Sequence, residues 1–159
     1  MAAMTERHDV VLARLAKSIE KTGHTTRINR SWGEDHLRPD LVISSMDPIT
    51  IIDVTVPFYE PANLLAAHAR KVQKYSHLGT TLPFVVGSLG SGLPTNDLIA
   101  TTMGISPRTW NSVRRDSRLL AIRGSLIIAR QHIRCQKDST TPEDLPAPPS
   151  PTDQAPAPQ

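Results

Sequence analysis

The stretch that most constrains the fold is residues 38–75, RPDLVISSMDPITIIDVTVPFYEPANLLAAHARKVQKY. Two short apolar runs, residues 41–45 and 49–56, flank Met46-Asp47-Pro48. β-Branched residues dominate both runs and a proline-containing turn separates them, so the pattern predicts a β-hairpin. Each run carries one acid. Asp40 opens the first strand, and Asp53 sits inside the second between Ile52 and Val54, where an unpaired carboxylate is costly. A cation is its natural partner. Pro61, a favoured first helical residue, starts a helix expected over 61–78 that carries Lys71 and Lys74 back toward the hairpin.

Two carboxylates on neighbouring strands with a lysine delivered from elsewhere are suited to holding Mg²⁺ and attacking a phosphodiester. Mg²⁺ takes hard oxygen ligands, usually one or two carboxylates with waters and substrate phosphate. A lysine supplies positive charge where negative charge gathers in the transition state. Simpler roles stay open at this stage. Asp40 also suits a plain turn position, Asp53 an arginine-paired structural acid, and the two lysines ordinary snorkelling to water. At 100° per residue His68, Lys71, Lys74 and Tyr75 share a broad helix face.

The remaining chain supplies one core and one domain, expected over 1–137, followed by a tail over 138–159. The tail holds half of the 14 prolines and no aromatic residue, and its composition predicts an extended or disordered segment. Before the hairpin, Val11, Leu12, Leu15 and Ile19 recur at helical spacing, with Thr5 or Asp9 as caps and Gly23 as the stop. Glu20 on this helix is either a third acid for the site or a solvated surface residue. Residues 24–37 read as loop or short strand around Trp32. Residues 82–86, after Gly79, read as a strand, which makes a strand-helix-strand unit and a mixed sheet. The fold class is therefore α+β, a mixed sheet flanked by helices with a C-terminal helical segment.

That C-terminal segment carries a second possibility. Residues 95–118 place a helix capped at Thr95, a glycine turn at Gly104 and a restart at Ser106-Pro107. This is the order of a helix-turn-helix whose second helix would present Arg108, Asn111, Arg114 and Arg115 to DNA; a core helix hairpin has the same pattern. A last helix over 119–134 would bury Leu119, Leu120, Ile122, Leu126, Ile127 and Ile133. From residue 108 to 137 the cations Arg108, Arg114, Arg115, Arg118, Arg123, Arg130, Arg134 and Lys137 face the single acid Asp116. The stripe suits phosphate contacts or, alternatively, a solvated face.

Cys135 is the only cysteine, so no disulfide forms within the chain, and neither cysteine nor histidine spacing suggests zinc. The sequence begins without an apolar leader and contains no run of membrane-spanning length. The expectation is a soluble, intracellular protein with no membrane partner.

Taken together, Arg38-Pro39-Asp40, Asp53 in IIDVTV, Lys71-Val-Gln-Lys74-Tyr75, Arg7-His8-Asp9 and LAIRGS at 120–125 resemble the restriction-like endonuclease domain of R-two-type non-LTR retrotransposons. In that family the domain ends a polyprotein, and the resemblance covers residues 5–135. It implies that Asp40 and Asp53 are metal-binding acids, with the Val54 carbonyl a further ligand by position. Lys71 matches the catalytic lysine of a displaced PD-(D/E)xK motif, with Lys74 and Tyr75 in the accompanying pair. The ordinary lysine position, two after the second acid, is Thr55 here. Arg7 and His8 match a motif that contacts DNA or caps the helix, and Arg108, Arg114, Arg115 and Arg118 would grip the backbone.

The function so implied is Mg²⁺- or Mn²⁺-dependent nicking of double-stranded ribosomal DNA in the nucleus, exposing a 3′-hydroxyl that primes reverse transcription of element RNA. The family's reverse transcriptase and zinc knuckle are absent from this chain, so it reads as a polyprotein fragment or a stand-alone remnant. A non-catalytic DNA-binding module using residues 95–118, or an inactive domesticated remnant, is the alternative.

Overall fold

A computed structural model describes residues 2–58 and 60–138. The chain runs α1 (Ala2–Glu20), β1 (Thr26–Ile28), β2 (Leu41–Ile43), β3 (Thr50–Thr55), α2 (Pro61–Tyr75) and β4 (Thr80–Val85). A 3₁₀ turn (Pro94–Asn96), α3 (Asp97–Thr102) and α4 (Pro107–Asp138) complete it. The four strands lie in the order β1-β2-β3-β4. β2 pairs antiparallel with both β1 and β3, and β4 is parallel to β3 because α2 carries the chain back across the sheet. The expected mixed sheet flanked by helices is the fold found.

Alternation along β3 sorts the two faces of the sheet. Ile52 and Val54 join Leu41, Ile43 and Phe84 in a core covered by α1 and α4, where Val11, Leu12, Leu15, Ile19, Trp110 and Val113 are buried. Asp53 alternates to the other face, under α2. That helix buries a stripe of Leu64, Ala67 and Tyr75, and Lys71 falls on the same stripe at helical spacing. Trp110 packs edge-on against Phe84 and donates its indole N–H to Asp97 Oδ1 at 2.7 Å, tying α4 to α3.

Several local expectations change. Residues 24–37 contain a strand, Thr26–Ile28, paired with β2 along the register Arg27↔Val42. The helix begins at Ala2, so Thr5 and Asp9 lie within it and do not cap it; Asp9 instead meets His8. Thr95 sits inside the 3₁₀ turn, and no side-chain bond caps α3. The two helices predicted over 107–118 and 119–134 are one, α4, of 32 residues. Ser106 starts it by accepting the Thr109 N–H, and no proline interrupts it afterwards.

At roughly 48 Å, from 1.5 Å per residue, α4 outruns the sheet, and only its first half rests on the core. Leu119, Leu126, Ile127 and Ile133 are exposed, not buried as predicted, while Leu120 and Ile122 are partly buried. The proline-rich tail, from residue 139, lies outside the described residues. None of the described helices is long and apolar enough to cross a membrane.

The turn from α2 into β4 needs a glycine. A Cβ on Gly79 would sit 2.4 Å from the Ile49 carbonyl, whose oxygen accepts the Thr80 N–H at 2.9 Å. Gly104, between α3 and α4, has a φ of +64° but nothing within 4 Å of its would-be Cβ. Gly104→Ala then costs about 1–2 kcal/mol through backbone strain alone, whereas Gly79→Ala must also displace β3's entry and costs more. Urea unfolding of the two variants should rank them in that order; equal losses would mean that the contact at Ile49 relaxes freely.

Candidate active site

β3 is flanked by strands on both sides, and Asp53 in its middle is 1% exposed. Register decides what it faces. Leu41 pairs with Ile52, so one residue beyond the end of β2 the ladder sets Asp40 across from Asp53. Like charges directly opposite on neighbouring strands repel. Burial, followed by the Asp40 charge, pushes the Asp53 carboxyl above the usual carboxylate range; Lys71 opposes both.

Lys71 reaches Asp53 from above the sheet. Its Nζ lies 2.5 Å from Asp53 Oδ2, an ion pair with a buried carboxylate. Tyr75, one turn further along α2, is 1% exposed. Its hydroxyl donates to the Arg38 carbonyl at 3.4 Å. Burial, then the neighbouring Asp53 charge, raises the phenol well above its ordinary value, so it stays a proton donor. Lys74 is exposed, with its ammonium 4.7 Å from the Tyr75 ring centroid.

Asp40 is held from two sides. Its Oδ2 accepts the Val54 N–H at 2.7 Å and lies 3.0 Å from His8 Nε2. His8 Nδ1 is in turn 3.0 Å from Asp9 Oδ1. With a carboxylate at each ring nitrogen, the imidazole is raised to about 9, the Asp40 bond being the largest cause, and carries its charge at neutral pH. The structure thus brings together Asp40, Asp53, Val54, Lys71 and Tyr75, and adds His8, which sequence reasoning had assigned to DNA. No local signal could have joined residue 8 to residue 40; the contact depends on how α1 lies on the sheet.

The other expected DNA contacts are dispersed. The Arg7 Nη atoms donate to Ser125 Oγ and the Val56 carbonyl, each at 2.9 Å, and a Cβ at Gly124 would collide with the Arg7 side chain. Arg7 is thereby an internal tie between α1, β3's exit and α4. Arg114 Nη1 is held by both Asp97 oxygens at 3.0 and 3.2 Å, and Arg115 lies 3.4 Å from Asp116, which Arg14 also grips at 2.9 Å. Arg108 and Arg118 are exposed. Glu20 accepts from Thr26 Oγ1 at 3.0 Å, roughly 18 Å along α1 from His8 at 1.5 Å per residue. It is outside the site.

These features define an α+β domain with a buried acid pair and a helix-borne lysine on one sheet face. No family model matches the chain. The chain is 30% identical over 145 aligned positions to the Retrovirus-related Pol polyprotein from type-1 retrotransposable element R2 of Popillia japonica. The match takes in 80% of this chain and 29% of that polyprotein, so the chain spans under a third of its length. The similarity relates this chain to part of a retroelement polyprotein.

The Asp53–Lys71 contact has a pH signature. Lys71→Met removes the cation and raises the Asp53 carboxyl further above its unfolded value. The variant should lose about 1–3 kcal/mol at neutral pH, and the loss should fade as pH falls below the ordinary carboxylate range, where Asp53 is protonated in both states. Urea titrations at pH 7 and near pH 3 check this; a deficit unchanged by pH would assign it to lost packing.

Proposed function

We propose that this chain is the DNA endonuclease portion of a retroelement polyprotein. It would nick duplex target DNA and leave a 3′-hydroxyl from which reverse transcription is primed. The observation that carries the proposal is the buried Asp53 facing Asp40 with Lys71 Nζ beside it. A pair of buried carboxylates on neighbouring strands, with the Asp53 carboxyl raised by burial and by the Asp40 charge, fits a divalent cation: Mg²⁺ needs only one or two protein carboxylates. Among the described residues no group of three or more His, Cys, Asp or Glu is placed to hold a metal ion.

Asp40 and Asp53 would hold Mg²⁺ or Mn²⁺, with the Val54 carbonyl next to them. When bound, such an ion supplies a polarised phosphate and a coordinated water of lowered pKa. The side chains do the rest. Lys71 keeps a positive charge at the place where phosphate oxygens gain negative charge, and orients the attacking water. Tyr75 remains protonated and donates. His8, clamped by Asp9, fixes which way Asp40 points. Ribosomal DNA as the target, contact with element RNA and action in the nucleus are proposed on the resemblance to R-two-type elements, with reverse transcription assigned to another part of such a polyprotein.

The test is nicking of supercoiled plasmid by the purified chain in Mg²⁺, Mn²⁺ and EDTA. Metal-dependent nicking should disappear in Asp53→Asn and slow by about 10²–10³ in Lys71→Met. Mn²⁺ should also raise the melting temperature of the wild type and leave that of Asp53→Asn unmoved. A folded wild type that binds DNA and nicks with neither ion would sink the proposal in favour of a non-catalytic DNA-binding module.

A further inference from the structure

The arginines expected to grip DNA on α4 are partly spent: Arg114 and Arg115 each face an acid. A different basic surface lies at the free edge of the sheet. Residues 26–31, together with Arg38, line an open groove of about 840 Å³ containing Arg27, Arg30 and Arg38 and no acid. Arg27, Arg30 and Arg38 are exposed, and none has an ion-pair partner among the described residues. Three uncompensated guanidiniums on one strand edge are costly to gather without an anion to receive.

The groove is joined to the acid site by the backbone. The Asn29 N–H donates to the Asp40 carbonyl at 2.9 Å, and Arg38 Nε donates to the Asn29 carbonyl at 2.8 Å. The Arg38 carbonyl accepts the Tyr75 hydroxyl. These bonds set the β1 edge, with Arg38, next to the strand that begins beside Asp40. No aromatic side chain lines the groove, and the nearby Trp32 ring has the Arg27 guanidinium over one face at 5.3 Å. The groove thus offers charge to a backbone and no stacking to bases.

We infer that the β1 edge, through Arg27, Arg30 and Arg38, is the track along which the sugar-phosphate backbone of duplex DNA runs into the acid site. This rests on the endonuclease reading and names the surface that delivers its substrate. Specificity for sequence is not expected from such contacts, which fix register on the duplex.

The experiment measures binding of a short fluorescent DNA duplex to the purified chain in EDTA, at several salt concentrations, by anisotropy. Arg27→Gln/Arg30→Gln, both at exposed positions, should weaken binding roughly tenfold or more near 0.1 M salt. It should also make the slope of log K against log salt shallower by about 1.8. Arg27→Lys/Arg30→Lys should restore both, and Arg114→Gln/Arg115→Gln should change the slope by less than half as much. Unchanged slope and affinity in the folded glutamine variant, or a wild type that does not bind duplex DNA, overturns the track. Tighter binding of single-stranded than of duplex DNA, lost equally in the glutamine variant, also overturns it as a duplex track. Failure of the two readings is distinguishable. Metal-dependent nicking that survives in the glutamine variant with unaltered binding removes the track and keeps the nuclease. A salt slope that responds to Arg27 and Arg30 in a chain that never nicks keeps the track and removes the nuclease.

Discussion

The β2–β3 register is the constraint on which the rest depends. Setting Leu41 opposite Ile52 buries the apolar set against α1 and α4, and it cannot do so without bringing Asp40 across from Asp53. A slip of one residue would turn every side chain of a strand to the other face. The fold therefore accepts an electrostatic cost that its own hydrophobic pattern enforces. Relief comes from two helices on opposite faces: α1 brings His8 to Asp40, and α2 brings Lys71 to Asp53. Neither acid shares its cation with the other, so the two carboxylates are neutralised separately and keep distinct orientations.

A second division of labour runs through the basic residues. Arg7, Arg14 and Arg114 act as long-range ties, each bonding a partner on another element. Arginine suits this because its fork makes several hydrogen bonds while the stem covers apolar surface. Charge counted along the sequence cannot separate such ties from contacts offered to a ligand. The two kinds are told apart only by what stands opposite them, and no acid is among the residues that line the β1 groove.

This explains what was legible in the sequence and what was not. The acids, the Pro61 helix start, the Ser106-Pro107 restart and the mixed sheet could be read because each rests on short-range chemistry. Turn residues, β-branched runs and caps act within a few positions. β1 was ambiguous because its three residues carry one apolar side chain, Ile28, which is itself exposed. The α4 residues Leu126, Ile127 and Ile133 misled because an apolar period marks a face without saying whether anything covers it. The His8–Asp40 contact was not legible for a plainer reason: the two residues lie 32 apart in sequence, beyond the reach of any local pattern.

The origin of the lysine matters for what the site can admit. A lysine two residues after Asp53 on β3 would project from the same sheet face and stand beside the acid, along the strand. Thr55 holds that position, half-buried, and pairs in register with Val85. Taking the cation from α2 moves it above the acid, on a helix that packs chiefly on β4 and less on β3. β3 then carries no lysine beyond Asp53, and Arg38 and the β1 groove stand on the β2 side of the acids. The same displacement makes the ammonium's position depend on the seating of α2, and so on Gly79, whose missing side chain lets the helix turn into β4 against Ile49.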